Sequence, residues 1–466
     1  MIQAIEWGII TYFLSLNSVY LLLVISSLIY IRQQMLLSDV VKPSSLFKSK
    51  VYKTISILVP AYNEAGNIIE SVESLLRLEY PEYEIIVIND GSSDETIERL
   101  KDHFKLTKTE LFYKQSIDHQ PVRGIYKTAE IPNLTVIDKE NGGKSDALNA
   151  GINVSDYDLV CSIDADSILE QDVLKKLIQT FVRHKDTIAA GGIVRVINGC
   201  KIVNREIKEI HVPDGFLGRL QSVEYLRAFL FGRVGWDYLK SLLIISGAFG
   251  IFDRKAILEV GGYSVDSVGE DIELIIRLHS HFLRSKKEYN IRFLPEPICW
   301  TEVPVDYKSL KNQRNRWHRG LADSLWRHKY MLFNPTYGRI GLLVMPFFLI
   351  FELIGPIIIL LSYLYLGVLF FIPGYTSISF IVLFFAVSVI YGMVVSLISV
   401  LAEEIAYKTY SSTKDILILT AYSFIENMGY RQIHSYWQVL GIIDFIKGNK
   451  SWGKMERKGF KANSAS

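Results

Sequence analysis

The chain has 466 residues, 49% of them hydrophobic and 21% charged. Soluble domains rarely carry that much apolar character beside that much charge, so the composition implies a mosaic of soluble and membrane parts. A net charge of only +2 gives no global case for nucleic acid as a partner. The three cysteines, Cys161, Cys200 and Cys299, lie far apart without a C-x-x-C pair. They predict reduced thiols in a cytosolic domain and argue against a disulfide or zinc framework.

Residues 8–31 carry no charge, and a run of about that length spans a bilayer. A cleaved leader is a poorer reading, because Glu6 is the one charge ahead of the run and no small-residue cleavage site follows. Arg32, Lys42, Lys48, Lys50 and Lys53 come next. By the positive-inside rule the N-terminus is expected outside and the chain from residue 32 onward in the cytoplasm. The predicted organisation is a membrane helix over 1–32, a linker over 33–53 and a cytosolic catalytic domain over 54–330. Membrane and interfacial helices follow over 331–446, then a basic tail over 447–466.

From residue 54 to about 300 the pattern alternates strand and helix. Ile55–Val59, Glu84–Ile88, Leu134–Ile137 and Leu159–Ile163 read as buried strands. A helix is expected over about 67–78. Ser92 and Glu95 have the spacing of a capping box for the next one. Such alternation implies a mostly parallel sheet covered on both faces, with ligands bound beyond the carboxyl ends of the strands. The polar stretch from Lys101 to Pro132 breaks the rhythm and is expected to be an excursion or flexible loop. Residues 341–372 are apolar enough for one long tilted helix kinked near Pro346 or Pro356, or for an interfacial helix leading into a span. Pro373-Gly374 marks a turn, and 377–402 reads as a second span. Residues 416–446 are apolar and aromatic but contain Glu426, Arg431 and His434, so spanning, re-entrant and surface placements all stay open.

The polar motifs fall at the predicted strand ends. Pro60-Ala-Tyr62-Asn-Glu64 can present Tyr62 to a flat base and Glu64 to a ribose hydroxyl or base edge; an ordinary strand-to-helix turn is the plainer alternative. In Asn89-Asp90-Gly91-Ser92, Asp90 can accept from a nucleobase N–H, or the motif is a simple Asp-Gly turn. Asn141-Gly-Gly-Lys144-Ser-Asp146 opens a helix, where free N–H groups and the Lys144 charge suit phosphate. It is not a P-loop, because the G-x-x-x-x-G-K-[ST] spacing is absent. Asp164-Ala-Asp166 delivers two carboxylates to one polar edge, and hard oxygen ligands suit Mg²⁺ or Mn²⁺ bridging a diphosphate. In Gly269-Glu270-Asp271 a carboxylate at a helix start can act as general base or merely favour the helix dipole. Finally, Gln313-Arg314-Asn-Arg316-Trp317 offers Arg314 or Arg316 for a diphosphate and Trp317 for a sugar face, or else a snorkelling basic rim.

The order of these motifs resembles family 2 glycosyltransferases, with their GT-A fold, over about 54–319. The Gln-x-x-Arg-Trp pentapeptide ahead of membrane helices resembles the processive synthases of cellulose, hyaluronan, chitin and poly-N-acetylglucosamine. The resemblance implies a Rossmann-like mixed sheet in a cytosolic domain with α-helical transmembrane segments. It implies Asp90 on the uridine end of a UDP-sugar and Asp166, with Asp164 beside it, on the metal. Asp271 is implied as the base, and Gln313, Arg316 and Trp317 border the acceptor and diphosphate. The expected partners are a nucleotide-sugar donor, a polysaccharide or lipid-linked acceptor and membrane lipids. In one departure, Gly269 stands where those synthases usually have Thr. The expected activity is inverting transfer to a growing β-linked polysaccharide. The alternatives are transfer of one sugar to a lipid carrier or glycolipid, and an inactive scaffold or transporter; the presence of Asp90, Asp164, Asp166 and Asp271 argues against the last.

Overall fold

The computed structural model describes residues 2–38, 52–203, 206–369, 371 and 378–449. The expected turn at Pro373-Gly374, most of the 33–53 linker and most of the basic tail lie outside the described residues.

The described strands are β1 (Ile55–Ala61), β2 (Tyr83–Asp90), β3 (Thr107–Thr109), β4 (Val122–Lys127), β5 (Leu134–Lys139), β6 (Leu159–Ile163), β7 (Ile168–Leu169), β8 (Thr187–Val196), β9 (Lys201–Val203), β10 (Glu206–Glu209), β11 (Phe249–Asp253) and β12 (Asn290–Thr301). Ten of them form one sheet in the order β3-β4-β5-β2-β1-β6-β11-β8-β12-β7, and β9 and β10 form a separate hairpin. The neighbours β5, β2, β1 and β6 run parallel, so their carboxyl ends meet along one edge. β11 is antiparallel to β6 and β8, and β8 is parallel to β12. The sheet is therefore mixed, with the parallel portion at its centre.

Burial on both faces explains the unbroken apolar runs in β1, β2 and β6. The helix Val173–Arg183 buries Val173, Leu174, Leu177, Ile178 and Phe181, the spacing of one apolar stripe laid on a sheet.

Two sequence expectations need correction. The Lys101–Pro132 stretch is not only an excursion: after the end of the helix Thr96–His103 it supplies β3 and β4, which extend the sheet antiparallel from β5. These strands sit at the edge, where half-exposed polar residues hide the strand pattern. The Ser92/Glu95 capping box does not form. Asp94 accepts from the Thr96 N–H and hydroxyl at the start of that helix, while Ser92 Oγ accepts from the Asn63 N–H in the facing loop.

Two helices are long and apolar enough to cross a bilayer, Ile2–Leu36 and Ile378–Tyr407. A third apolar unit is the pair Ile340–Leu353 and Gly355–Leu369, bent by 42° just ahead of Pro356, one of the two prolines flagged for a kink. The undecided 416–446 segment forms two helices, Thr413–Ile425 and Arg431–Ile446, broken at Met428 and Gly429. Each is shorter than the roughly 20 residues a span needs. Arg431–Ile446 lies along the helix Tyr307–Arg327, with Asn315 donating to Asp444 at 2.7 Å and Arg319 to the Asn449 carbonyl at 2.7 Å.

Candidate active site

Beyond the carboxyl edge of the parallel strands lies one cavity of about 2120 Å³. Its wall includes Pro60, Tyr62, Glu64, Asp90, Lys144, Asp164, Asp166, Glu270, Asp271, Gln313, Arg314, Arg316 and Trp317. Sequence-distant motifs thus meet because the strands that carry them end on one edge and the helix Tyr307–Arg327 crosses in front. Asp146 does not line the cavity; it is buried behind the glycine turn.

At one end, Tyr62 is half exposed at the mouth. The loops after β1 and β2 are tied together by Ser93 N–H donating to Asn63 Oδ1 at 2.8 Å. Asp90 Oδ1 accepts from Lys139 Nζ at 2.6 Å and the Gly142 N–H at 3.0 Å. Its Oδ2 accepts from the Gly143 N–H at 2.7 Å and Asn141 Nδ2 at 3.1 Å. Gly143, at φ +88°, lets the chain turn those N–H groups inward. Lys139 has no exposed side-chain surface and pairs with Asp146 Oδ1 at 2.5 Å as well as with Asp90. Sequence reasoning missed Lys139; its signal was a charged residue closing an otherwise buried strand.

In the middle, a turn closed by Ser167 N–H donating to the Asp164 carbonyl ends β6 and sets Asp164 and Asp166 on the cavity wall. Lys144 Nζ reaches Asp164 Oδ1 at 2.6 Å, the Gly247 carbonyl at 2.9 Å and Glu270 Oε1 at 3.4 Å. Burial alone would lower the Lys144 ammonium, but the summed charge of Asp164, Glu270 and Asp271 raises it above its ordinary value. Burial raises the Glu270 carboxyl, against the pull of Lys144 and with the push of Asp271. Glu270 is thus turned back toward Lys144. Asp271 takes the Gly247 N–H on Oδ2 at 3.1 Å and the Ile272 N–H on Oδ1 at 2.9 Å. Gly247 was not singled out from sequence, yet its backbone holds both Lys144 and Asp271. A Cβ there would lie 3.2 Å from Lys144 Nζ and 3.6 Å from Asp271 Oδ2.

At the other end, Trp317 is 45% exposed into the open. The Arg314 guanidinium sits 4.3 Å over its ring and pairs with Glu224 at 2.7 Å. Tyr430 donates to the same Glu224 oxygen at 3.0 Å. Both Arg314 and Arg316 line the cavity, and Arg314 also braces Trp317 and the neighbouring helix. Gln313 Oε1 is enclosed and has no hydrogen-bond partner among the described residues. Gly269 and Gly320 touch: a Cβ on either would meet the other's Cα at 2.8 Å. This close crossing accounts for glycine in the position before Glu270.

The metal reading can be tested on the donor set. Asp164 and Asp166 are hard-oxygen donors two residues apart, and among the described residues no group of three or more His, Cys, Asp or Glu side chains is placed to hold a metal ion. That fits Mg²⁺ or Mn²⁺, which keep few protein ligands and fill the shell with phosphate oxygens and water. It does not fit a closed structural zinc site.

Residues 56–259 match the family model Glycosyl transferase family 2, and residues 159–397 match Glycosyl transferase family group 2. The chain belongs to glycosyltransferase family 2. It is 32% identical over 273 residues to a poly-beta-1,6-N-acetyl-D-glucosamine synthase of Staphylococcus epidermidis, covering 59% of this chain and 56% of that protein. It is 32% identical over 316 residues to the synthase of the same description from Staphylococcus aureus, covering 67% and 64%. The matched part thus spans less than two thirds of either relative. Among solved structures, a mannosyltransferase from Pyrobaculum calidifontis, determined with GDP-Man and Mn²⁺, superposes with a TM-score of 0.54 at 14% identity, covering 95% of this chain and 99% of that one. At that identity the likeness speaks to the fold, which is the GT-A mixed sheet expected from the family resemblance.

Proposed function

We propose that this family 2 member is a membrane-embedded, inverting glycosyltransferase. Its catalytic domain is cytosolic, and it moves a sugar from a UDP-sugar onto a growing β-linked polysaccharide. The observation that carries the reading is the continuity of the cavity. It runs from Tyr62 and Asp90 past Asp164, Asp166 and Asp271 to Trp317, and onward to Glu352, Arg431, His434 and Gln438 among the helices that follow. A polymer needs such a continuous route beside the site of transfer. The kinship with poly-N-acetylglucosamine synthases supports a 2-acetamido sugar as the unit transferred.

In this reading Tyr62, Glu64 and the Asp90–Gly143 turn receive the nucleoside, Asp146 holds the turn's geometry through Lys139, and Lys144 offers its charge to the phosphate. Asp166 and Asp164 would hold a divalent ion, which would supply positive charge to the diphosphate. Asp271 takes the proton from the acceptor hydroxyl. The hydroxyl oxygen then bonds to the anomeric carbon, the bond from that carbon to the phosphate oxygen breaks, and the electron pair leaves with the nucleoside diphosphate. A single displacement inverts the anomeric centre, giving a β-linkage from an α-linked donor. Arg316 faces the departing charge, and Trp317 packs against the acceptor's C–H face. Asp271 suits the base role better than Glu270, because Glu270 is drawn to Lys144.

The test is product length against enzyme-to-donor ratio for purified protein in lipid. A polymerase gives long chains at low enzyme, and Trp317→Ala shortens or abolishes them while nucleotide binding stays. Release of only singly glycosylated lipid at every ratio would replace this reading with lipid glycosylation.

A further inference from the structure

The cavity wall holds several arginines, and they differ in how their charge is met. Arg227 pairs with Glu426 at 2.9 Å, Arg314 with Glu224 at 2.7 Å and Arg431 with Glu426 at 3.5 Å. Arg233 also lines the cavity, but no carboxylate lies within ion-pair reach of it among the described residues. Its guanidinium sits 3.9 Å over the Phe229 ring, and its enclosed Nη1 has no hydrogen-bond partner among the described residues.

Burial pushes the Arg233 guanidinium down to about 10, with Asp271 and Tyr225 pulling the other way. It therefore stays charged at neutral pH. Arg233 shares the wall of one cavity with Asp164, Asp166 and Asp271.

Its backbone is held firmly. Arg233 ends the π-helical stretch Arg227–Arg233. The N-terminal helix packs against that stretch, with Ser27 donating to the Leu230 carbonyl at 2.5 Å. A Cβ on Gly235 would meet the Leu23 carbonyl oxygen at 2.7 Å. A desolvated cation without a counter-charge is costly unless something else supplies acceptor oxygens. Here the open side is the cavity.

We propose that Arg233 is a substrate-contacting residue, donating hydrogen bonds to an acceptor-only oxygen of the bound sugar nucleotide. This rests on the sugar-nucleotide reading above. That oxygen belongs either to the diphosphate or to a carbonyl substituent on the donor sugar, and the two sources can be separated.

The experiment uses the full chain in lipid nanodiscs with Mn²⁺, comparing wild type, Arg233→Gln and Arg233→Lys. It measures the Kd for UDP, the Kd and KM for UDP-N-acetylglucosamine, and the pH profile of kcat. A lost charge-assisted hydrogen bond should weaken sugar-nucleotide binding and raise its KM by about tenfold in Arg233→Gln, with partial recovery in Arg233→Lys. If UDP alone weakens in parallel, the oxygen is on the diphosphate. If UDP binds as in wild type and only the sugar nucleotide weakens, the oxygen is on the sugar. Either pattern supports the contact, and partial recovery by lysine shows that the position tolerates substitution and that the loss in Arg233→Gln follows the missing charge.

Binding constants within about twofold of wild type for both ligands would overturn the proposal, since such a change is under 1 kcal/mol. So would an effect seen only as a moved acid limb in the pH profile, because Arg233 would then act through Asp271. Failure of the wild type to bind UDP or the sugar nucleotide refutes the underlying reading, and this proposal with it.

Discussion

The two ends of the cavity are built on opposite principles. At the nucleotide end the polar groups satisfy one another: Asp90 accepts four bonds, and Lys139 is shared between Asp90 and Asp146 without any exposed side-chain surface. At the proposed acceptor end Gln313 Oε1 is enclosed without a hydrogen-bond partner among the described residues, and Trp317 presents an open ring. Buried polar atoms are normally paired. A self-satisfied cluster holds a shape before ligand arrives, whereas an unsatisfied wall is completed by what enters. On the proposed reading, the contrast suits a site whose small donor is the same in every cycle while the acceptor end must grip and then shift.

The largest effect should come from the border between the ends. Chelation with EDTA is expected to abolish donor turnover, with Mg²⁺ or Mn²⁺ restoring it, and Asp166→Asn should be inactive yet folded. Full turnover in excess chelator would remove the metal from Asp164 and Asp166.

Next comes the self-satisfied end. Lys139→Met leaves two buried carboxylates facing each other without their cation. Breaking a buried pair in that way costs about 3–5 kcal/mol. A large fall in Tm together with lost UDP binding is expected. An unchanged melting curve would mean that the cluster is not the rigid half described here.

At the open end, Asp271→Asn should keep UDP binding and cut transfer by about 10² or more, the size expected for losing a positioned base. Near-normal transfer would move the role to Glu270.

How far the sequence reaches follows the same division. The parallel strands were legible because strands buried on both faces read as apolar runs, and the motif positions followed from their ends. β3 and β4 were not legible, since edge strands with half-exposed polar residues lack that pattern. Within the site, residues of distinctive chemistry such as Asp166 and Trp317 announced themselves. Lys139, Gly247 and Arg233 did not: what sets them apart is a missing or shared partner, and partners come from elsewhere in the chain. Asp253 in β11, for example, caps its own helix through Lys255 and Ala256 N–H groups, a local pattern. Lys139, by contrast, depends on Asp90, 49 residues away.

The smallest expected effect tests whether the two ends move as one. Gly269 and Gly320 are the point where the loop before Glu270 and Asp271 touches the helix bearing Arg316 and Trp317, and each leaves no room for a Cβ on the other. Ser267 Oγ donates to Asp323 Oδ2 at 2.9 Å and Ser324 Oγ to the Gly269 carbonyl at 3.4 Å, fixing the same crossing from either side. Gly269→Ala must push the two backbones apart, and overpacking of this kind costs about 1–3 kcal/mol. The displaced part is the proposed base relative to the proposed acceptor platform, so kcat should fall while the Kd for UDP stays, because the Asp90–Lys139 cluster lies on other elements. Gly269→Thr, which installs the residue usual in the synthases, should be worse than Ala because its side chain is larger and branched at Cβ. If Gly269→Thr instead raises kcat, the helix has room to retreat, and the glycine contact is a packing convenience and not the link between base and acceptor.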